Sequence, residues 1–323
     1  MKQGHAITVG ATLTVLLILV GAAVLNGLVE RPNIPDNADR LAAIPSGSHK
    51  WSPGEDNYPP VMLENGWTEP VPLPGPINTA GAEDSPFASG NRLFFFFTPD
   101  MNIPLTDQAV DGMTGIWWSE RAGDGWTEPK RAYLGSFECL DGAECVRGDE
   151  MWFGSVRKGN LGEIDIYAAD YDGSGWRNIR NAGERLNVEL DIGEFHIWGD
   201  ELYFAANRTG TKGGLDIWMC EREGDGWSDP VNVGSPNSAM DENQPFVSDG
   251  GKELWFTKWG SRAGPSCYRC LRQPSGEWGA PVEIAANFAG EPTLDSEGNL
   301  YFVHHFLEDG EIFEADIYVA YRS

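Results

Sequence analysis

Acidic residues recur at one place in the sequence pattern and are the residues best suited to chemistry. Each stands at the start of a run rich in aromatic and β-branched residues: Glu83 with Asp84, Glu144, Glu194, Glu242 and Glu291. Two carboxyl groups that flank a glycosidic bond can hydrolyse it. An acid present in every copy can instead accept hydrogen bonds from backbone amides at a turn, and we favour this structural interpretation while keeping the catalytic one open.

Basic and aromatic side chains supply further candidates for ligand binding. Arg157 and Arg208 each lead into a Gly-containing loop, where a guanidinium can bind a carboxylate or a sugar, or pair with an inner-strand glutamate. His196 follows Glu194 by two positions, so both side chains share one face of a strand. The remaining candidates are His304 with its neighbour His305, and Trp117, Trp118 and Trp259, which are the tryptophans best placed for stacking on a ligand.

The cysteines and the motif content limit the metal and cofactor chemistry. Of the five cysteines, Cys139 and Cys145 lie six positions apart and can bridge in an oxidising compartment, while the odd count leaves at least one cysteine unpaired. No second C-x-x-C pair accompanies Cys267 and Cys270, which argues against structural zinc. We therefore predict neither a metal site nor a cofactor.

These candidates lie within a repeated unit. Glu194 to Trp227 contains three strand-like runs separated by Gly, Asn and Asp clusters, and a fourth run follows the tryptophan. The Trp that closes each unit recurs at Trp67, Trp126, Trp176, Trp227 and Trp278, at intervals of 59, 50, 51 and 51 residues. A period near 50 with four strands per unit is typical of a β-propeller blade. The longer first interval reflects an extra loop over residues 98–114.

Five copies of the third strand predict five blades. They occupy residues 115–121, 165–171, 216–222, 266–272 and 316–322. The last copy lacks a fourth strand, whereas residues 67–73 resemble a fourth strand that no first three strands precede. Pairing 67–73 with 316–322 would close an all-β five-bladed propeller over residues 66–323 and leave no open sheet edge.

The repeat resembles a known family. An acid and a strand, then G-D-E-L-Y-F, G-G-L-D-I-W and G-D-G-W-S-D-P-V, as in residues 194–231, is similar to the WD40-like repeats of TolB-type propellers found in cell-envelope proteins. The fourth unit departs from this pattern with Ser266-Cys267-Tyr268, and the second unit lacks the final Pro-Val. The resemblance implies a fold rather than an activity, although five-bladed propellers also include arabinanase-like enzymes.

The segment before the propeller divides into two parts. Residues 6–29 form a run without charge that is long enough to span a bilayer. Lys2 lies before this run, and acids follow it. We expect residues 1–29 to be a signal anchor that exports the propeller, with a cleaved signal peptide as the alternative. Residues 30–65 contain six prolines and are expected to be an extended spacer on which Trp51 and Tyr58 can dock.

The charge balance excludes one class of partner. The formal net charge is −26, and beyond residue 29 the 49 acids face 22 lysines and arginines. Such a surface repels nucleic acid. We therefore expect a membrane-tethered binding or scaffolding module whose funnel loops take a protein or a neutral glycan. A glycoside hydrolase of neutral glycans, with two inner-strand carboxyls as its catalytic pair, is the alternative, and a purely structural envelope protein is the third possibility.

Overall fold

The strands of this computed structural model follow the repeat that the sequence predicts. It describes residues 33–323 except 191, 193, 249, 309 and 310, and Pro35–Ser323 form one compact unit. Before the repeats lie α1 (Asn37–Ala43), β1 (Val61–Met62) and β2 (Val71–Pro72). The first blade contains β3 (Ala82–Ser89), β4 (Arg92–Thr98), β5 (Gly115–Ala122), β6 (Gly125–Trp126) and β7 (Lys130–Arg131), with α2 (Leu105–Gln108) in its long loop.

The other blades repeat this arrangement. The second contains β8 (Cys139–Arg147), β9 (Glu150–Arg157), β10 (Asp165–Tyr171) and β11 (Trp176–Asn181). A π-helical turn (Arg185–Glu189) leads to the third, with β12 (Phe195–Trp198), β13 (Glu201–Ala206), β14 (Asp216–Glu223), β15 (Gly226–Trp227) and β16 (Val231–Asn232). The fourth contains β17 (Glu242–Val247), β18 (Glu253–Trp259), β19 (Pro265–Leu271) and β20 (Val282–Ala286), and the fifth contains β21 (Ala289–Leu294), β22 (Leu300–Glu308) and β23 (Glu311–Ala320).

Within the described residues these strands form five antiparallel sheets, so the all-β five-bladed propeller is confirmed. The fifth sheet has the order β2-β23-β22-β21, with Val71 opposite Val319 and Pro72 opposite Tyr318. β2, which precedes the first blade, thus pairs with the last strand of the fifth sheet.

The closing tryptophans pack between neighbouring blades. Trp176 of the second blade meets Phe94 of the first at 6.1 Å between ring centroids, and Trp67 of the fifth meets Trp255 of the fourth at 5.7 Å. An aromatic residue at a fixed point of each repeat therefore fills the space between two sheets. Edge-to-face ring pairs of this kind add to the apolar burial.

Buried asparagines hold consecutive blades together. Asn237 precedes the fourth blade, and its side chain accepts a hydrogen bond from the amide N–H of Ile217 in the third blade and donates one to its carbonyl, both at 2.8 Å. Asn187 makes the same pair of bonds with Ile166, and Asn78 makes them with Ile317. Each asparagine pairs backbone groups that are otherwise buried in the middle of a sheet.

Residues 35–62, which we call the strap, lie against the propeller and do not form the extended spacer that proline content suggested. α1 begins with a capping box between Asp36 and Asp39. β1 pairs with β20 and adds a fifth strand to the fourth blade. The strap is ordered because it buries charged and aromatic side chains on the propeller.

The described residues contain neither a membrane-spanning helix nor the expected disulfide. The expected anchor at residues 6–29 lies outside the described residues, and no helix within them is long and apolar enough to cross a membrane. The expected Cys139–Cys145 bridge is absent, because both thiols are free and buried. Both residues belong to β8, where six residues span about 20 Å, far beyond the Cα separation of about 4.4–6.8 Å that a disulfide needs.

Candidate functional site

The candidate site lies at the end of the propeller where the inner strands begin. The pairing of Ala82 with Thr98 and of Glu242 with Lys258 shows that second strands end where inner strands start. The loops from second to third strands therefore share this end with the connections between blades. We call it the loop face.

The predicted acids occupy three different positions in the inner strands, although the sequence suggested one. Strand register makes Phe87, Cys145, His196 and Phe246 equivalent, since each faces the residue after the conserved Leu or Met of the next strand. Relative to these equivalent positions, Glu83 and Glu242 lie earliest in their strands. Glu194 and Glu291 lie two residues later than that point, and Glu144 lies three residues later.

A β-bulge interrupts four of the inner strands at one point. The register slips between Asp84 and Phe87 in β3 and at the same point in β8, β17 and β21. The residue in the bulge has positive φ at Ser85 (49°), Ala143 (51°), Gln244 (49°) and Glu291 (54°). An extra residue in an inner strand turns the next side chains toward the propeller axis.

The two acids that come first in their strands are structural. Glu83 is buried, accepts hydrogen bonds from the Thr79 amide and hydroxyl, and pairs with Arg40 of the strap at 2.6 Å. Glu242 is buried and accepts bonds from the Ser238 amide and hydroxyl. Each fixes the connection that enters its blade, so both follow the interpretation that a repeated acid serves the repeat.

The other three glutamates line one small cavity on the propeller axis, the central cavity. All five inner strands contribute to its wall, with Glu144, Glu194, Glu291 and Gln244 as polar members. Its volume is about 50 Å³, room for one or two groups the size of a water molecule, each of which takes about 30 Å³. Ser85 donates to Glu291 at 2.5 Å and Gln244 donates to it at 3.2 Å.

Burial and mutual repulsion keep protons on these carboxyls. Burial raises the pKa of Glu144 to about 8 and that of Glu194 to about 7, and the Glu291 carboxyl adds to both shifts. The pKa values of Glu291 and of Asp84 are raised mainly by burial, and Asp84 also faces Glu291. Carboxyl groups this close together cannot all ionise at neutral pH.

Three rings close the channel beneath the cavity. His196 lies 4.7 Å from Phe246 and 5.8 Å from Phe87 between ring centroids, and the two phenylalanines are 6.1 Å apart. Burial lowers the pKa of His196 to about 3, so the imidazole is neutral. His196 is therefore a neutral member of this floor.

Above the cavity the loop face carries a groove made of two adjoining cavities that share Asn243. The one over the third blade has a volume of about 950 Å³ and includes Glu194, Arg208 and Trp218. The one over the fourth and fifth blades has a volume of about 550 Å³ and includes Glu291 and Trp259. Both fall in the range of about 300–1,000 Å³ that is typical of ligand sites.

Two of the predicted binding residues line this loop-face groove. The Trp259 side chain is 60% exposed, so it offers an aromatic face to a ligand. Arg208 donates to the Leu190 carbonyl at 2.8 Å, which orients its guanidinium at the groove wall. Lys258 and His305, which belong to the same wall, add polar groups.

The remaining predicted binding residues are buried or have partners within the chain. Arg157 pairs with Asp141 of its own blade at 2.6 Å and donates to the Leu134 carbonyl. Trp117 is fully buried in the core, and Trp118 is 6% exposed. His304 is buried and bonds Asp56 of the strap at 2.8 Å.

The strap covers the part of the loop face over the first and fifth blades. Arg40 reaches Glu83 of the first blade, and Lys50 reaches Asp316 of the fifth at 2.6 Å. Trp51 stacks on Phe313 with 6.1 Å between ring centroids. One part of the loop face thus holds the strap, and another part forms the groove.

The sequence analysis did not identify Gln244 and Asn243, and it did not separate the acids that have partners, Glu83 and Glu242, from the acids of the central cavity. The sequence does contain a signal for Gln244. Ser85, Gln244 and Glu291 each precede a proline, at Pro86, Pro245 and Pro292, and alignment on that proline gives the observed equivalence. The strap contacts leave no such local signal.

Fold and site together define a five-bladed β-propeller with an acid-lined axial cavity. No family model matches the chain, and no curated protein matches it either. Among solved structures it is similar to TolB from Acinetobacter baumannii, with 14% identity, a TM-score of 0.43 and coverage of 76% of this chain. The match spans 55% of that TolB chain, about half its length.

Two carbohydrate-active enzymes are similar in the same way. The catalytic domain of the GH62 α-L-arabinofuranosidase from Coprinopsis cinerea has 13% identity and a TM-score of 0.49, over 80% of this chain and 97% of that one. The endo-arabinase from Bacteroides thetaiotaomicron has 11% identity and a TM-score of 0.45, over 81% of this chain and 96% of that one.

Proposed function

We propose that this protein is a binding module that takes a segment of a protein partner in the loop-face groove. The observation that carries the proposal is the strap. The loop face already holds a segment of polypeptide, the strap with its helix α1, through the aromatic and cationic side chains of Trp51, Arg40 and Lys50. The adjoining groove is of ligand size and presents the 60% exposed Trp259.

The setting of the module is also part of the proposal. The charge-free run at residues 6–29 and the charges on either side of it support a tethered propeller outside the cytoplasm. The pairing of β2 with β23 supports a ring of blades closed between its two ends. A net charge of −26 favours partners that present cations.

Selection of peptides on the purified propeller tests the groove. We expect a displayed random-peptide library to yield binders whose affinity falls at least tenfold on Trp259→Ala, since an exposed aromatic anchor is a common hot spot. Tyr321→Ala is the matched control, because Tyr321 is 43% exposed and lies outside both groove cavities. Peptides that bind both variants alike would exclude the groove as the site.

Glycoside hydrolysis of a neutral glycan is the second candidate. Glu194 favours it, because its pKa near 7 suits a general acid and it lines the 950 Å³ cavity. The geometry counts against it, since Glu194 and Glu291 share only the central cavity of about 50 Å³, which is much smaller than the two groove cavities. Turnover of neutral polysaccharides that is lost in Glu194→Gln and kept in Glu277→Gln, an exposed acid, would establish the enzyme.

A further inference from the structure

Glu144 contributes to the central cavity a buried carboxyl group without a hydrogen-bond partner among the other described residues. The residue is 5% exposed, and neither carboxylate oxygen accepts a hydrogen bond from another described residue. Its side chain contributes to the wall of the cavity together with Glu194 and Glu291. A buried acid with no bond costs free energy, so its environment suits a donor that is supplied from outside the chain.

Four other buried acids at the loop face each have a cation from this chain. Arg40 pairs with Glu83 at 2.6 Å, and Arg157 pairs with Asp141 at 2.6 Å. Lys258 lies 3.6 Å from Glu242, and Lys50 lies 2.6 Å from Asp316. Asp165 and Asp216 accept bonds from backbone and asparagine N–H groups instead. Among the described residues, the wall of the central cavity contains no lysine or arginine. Its single histidine, His196, is neutral.

Size and geometry define the missing group. A cavity of about 50 Å³ admits an ammonium group, which is similar in size to water. Among the described residues no three acidic, histidine or cysteine side chains are arranged to hold a metal ion. An ammonium offers three N–H donors and binds carboxylates at about 2.7–2.9 Å.

The route of entry is from the loop face. The rings of Phe87, His196 and Phe246 block the opposite end. Glu194 and Glu291 belong both to the cavity and to the groove above it. A flexible stem of four methylene groups is suited to reach from a ligand in the groove to Glu144.

We propose that the central cavity is a binding site for a primary ammonium group, supplied by a lysine side chain of the partner whose backbone lies in the loop-face groove. Glu144, Glu194 and Glu291 accept its hydrogen bonds. The identity of the donor as a partner lysine rests on the proposed function, whereas the ammonium site itself does not.

A small amine tests the cavity without any peptide. At pH 9 and constant ionic strength, we expect n-butylammonium chloride to raise the melting temperature of the full chain saturably, and tetramethylammonium chloride, which has no N–H donor, to have no such effect. Glu144→Gln should weaken the n-butylammonium effect at least tenfold in concentration. Glu277→Gln should leave it unchanged. Glu194→Gln is the second cavity variant and should also weaken it.

Several results would overturn the site. Equal responses to the two ammonium salts, or a response that survives both cavity variants, would refute it. Calcium chloride that stabilises the protein through Glu144 while n-butylammonium does not would replace the ammonium with a metal ion. For peptides selected on the groove, replacing the lysine with norleucine should lower affinity at least tenfold. A specific n-butylammonium site without any peptide binding would refute the partner lysine and the proposed function, and leave the ammonium site standing.

Discussion

Replacing Arg40 by alanine should destabilise the whole propeller. Arg40 and Glu83 are 0% exposed at their side chains and 2.6 Å apart, so the variant leaves a carboxylate buried without its cation. Loss of one partner of a buried pair costs about 3–5 kcal/mol. The guanidinium also donates to the Pro76 and Ile77 carbonyls and lies 4.5 Å from the centroid of the Phe97 ring.

The measurement is urea unfolding followed by the fluorescence of the 13 tryptophans, with a drop in melting temperature on the order of 10 °C expected as well. Arg180→Ala is the control, since Arg180 is 44% exposed beside Glu150 and such pairs contribute about 1 kcal/mol or less. The double variant Arg40→Met with Glu83→Gln should recover part of the loss. If Arg40→Ala costs no more than Arg180→Ala, the strap is not fastened by this pair.

Three further predictions concern the blade connections, the cavity and the thiols. Asn237→Ala should lower the free energy of unfolding by about 2–4 kcal/mol in urea melts, because the Ile217 amide and carbonyl lose their partners; a cost below 1 kcal/mol would contradict the role of the asparagine. The Glu144 carboxyl, with its pKa raised to about 8 in the folded state, stabilises the fold at low pH. Its contribution is lost as the pH rises toward 8, so the advantage of Glu144→Gln over wild type should grow between pH 6.5 and 8.5 by up to about 1.4 kcal/mol per pH unit, and equal pH profiles would contradict it. All five cysteines are free and buried, so a thiol reagent should label none in the native protein and five in denaturant; rapid labelling of the native protein would show an open blade.

The fold was predictable because local patterns determine it. The alternation of strands with Gly and Asp turns, and a tryptophan at every 50 or so residues, recur in each blade and need no long-range information. The glycines Gly90, Gly148 and Gly199 confirm the turn assignment, with φ of 60°, 62° and 57° at the first hairpin of their blades.

The site was only partly predictable, because the repeated acids do not occupy one position in the inner strands. Glu144, Glu194 and Glu242 look equivalent in sequence, yet strand register places them at three different positions along their strands. Exposure of Trp259 was correctly anticipated, whereas Trp117 is core because Arg40 and the long first-blade loop cover it.

The strap was missed for a physical reason. Proline content describes the local stiffness of a chain, but the position of the strap depends on pairs such as Lys50 with Asp316, which are 266 residues apart. Sequence periodicity carries no information about such contacts.

The strap also determines the order in which the protein can fold. β1 pairs with β20, and Lys50 pairs with Asp316 of β23, so these partners are among the last of the described residues to leave the ribosome. At roughly 5–20 residues per second, the strap waits on the order of tens of seconds for them. During that time its apolar and charged groups are open to proteases and chaperones. Docking of the strap therefore marks a chain whose five blades have all been made.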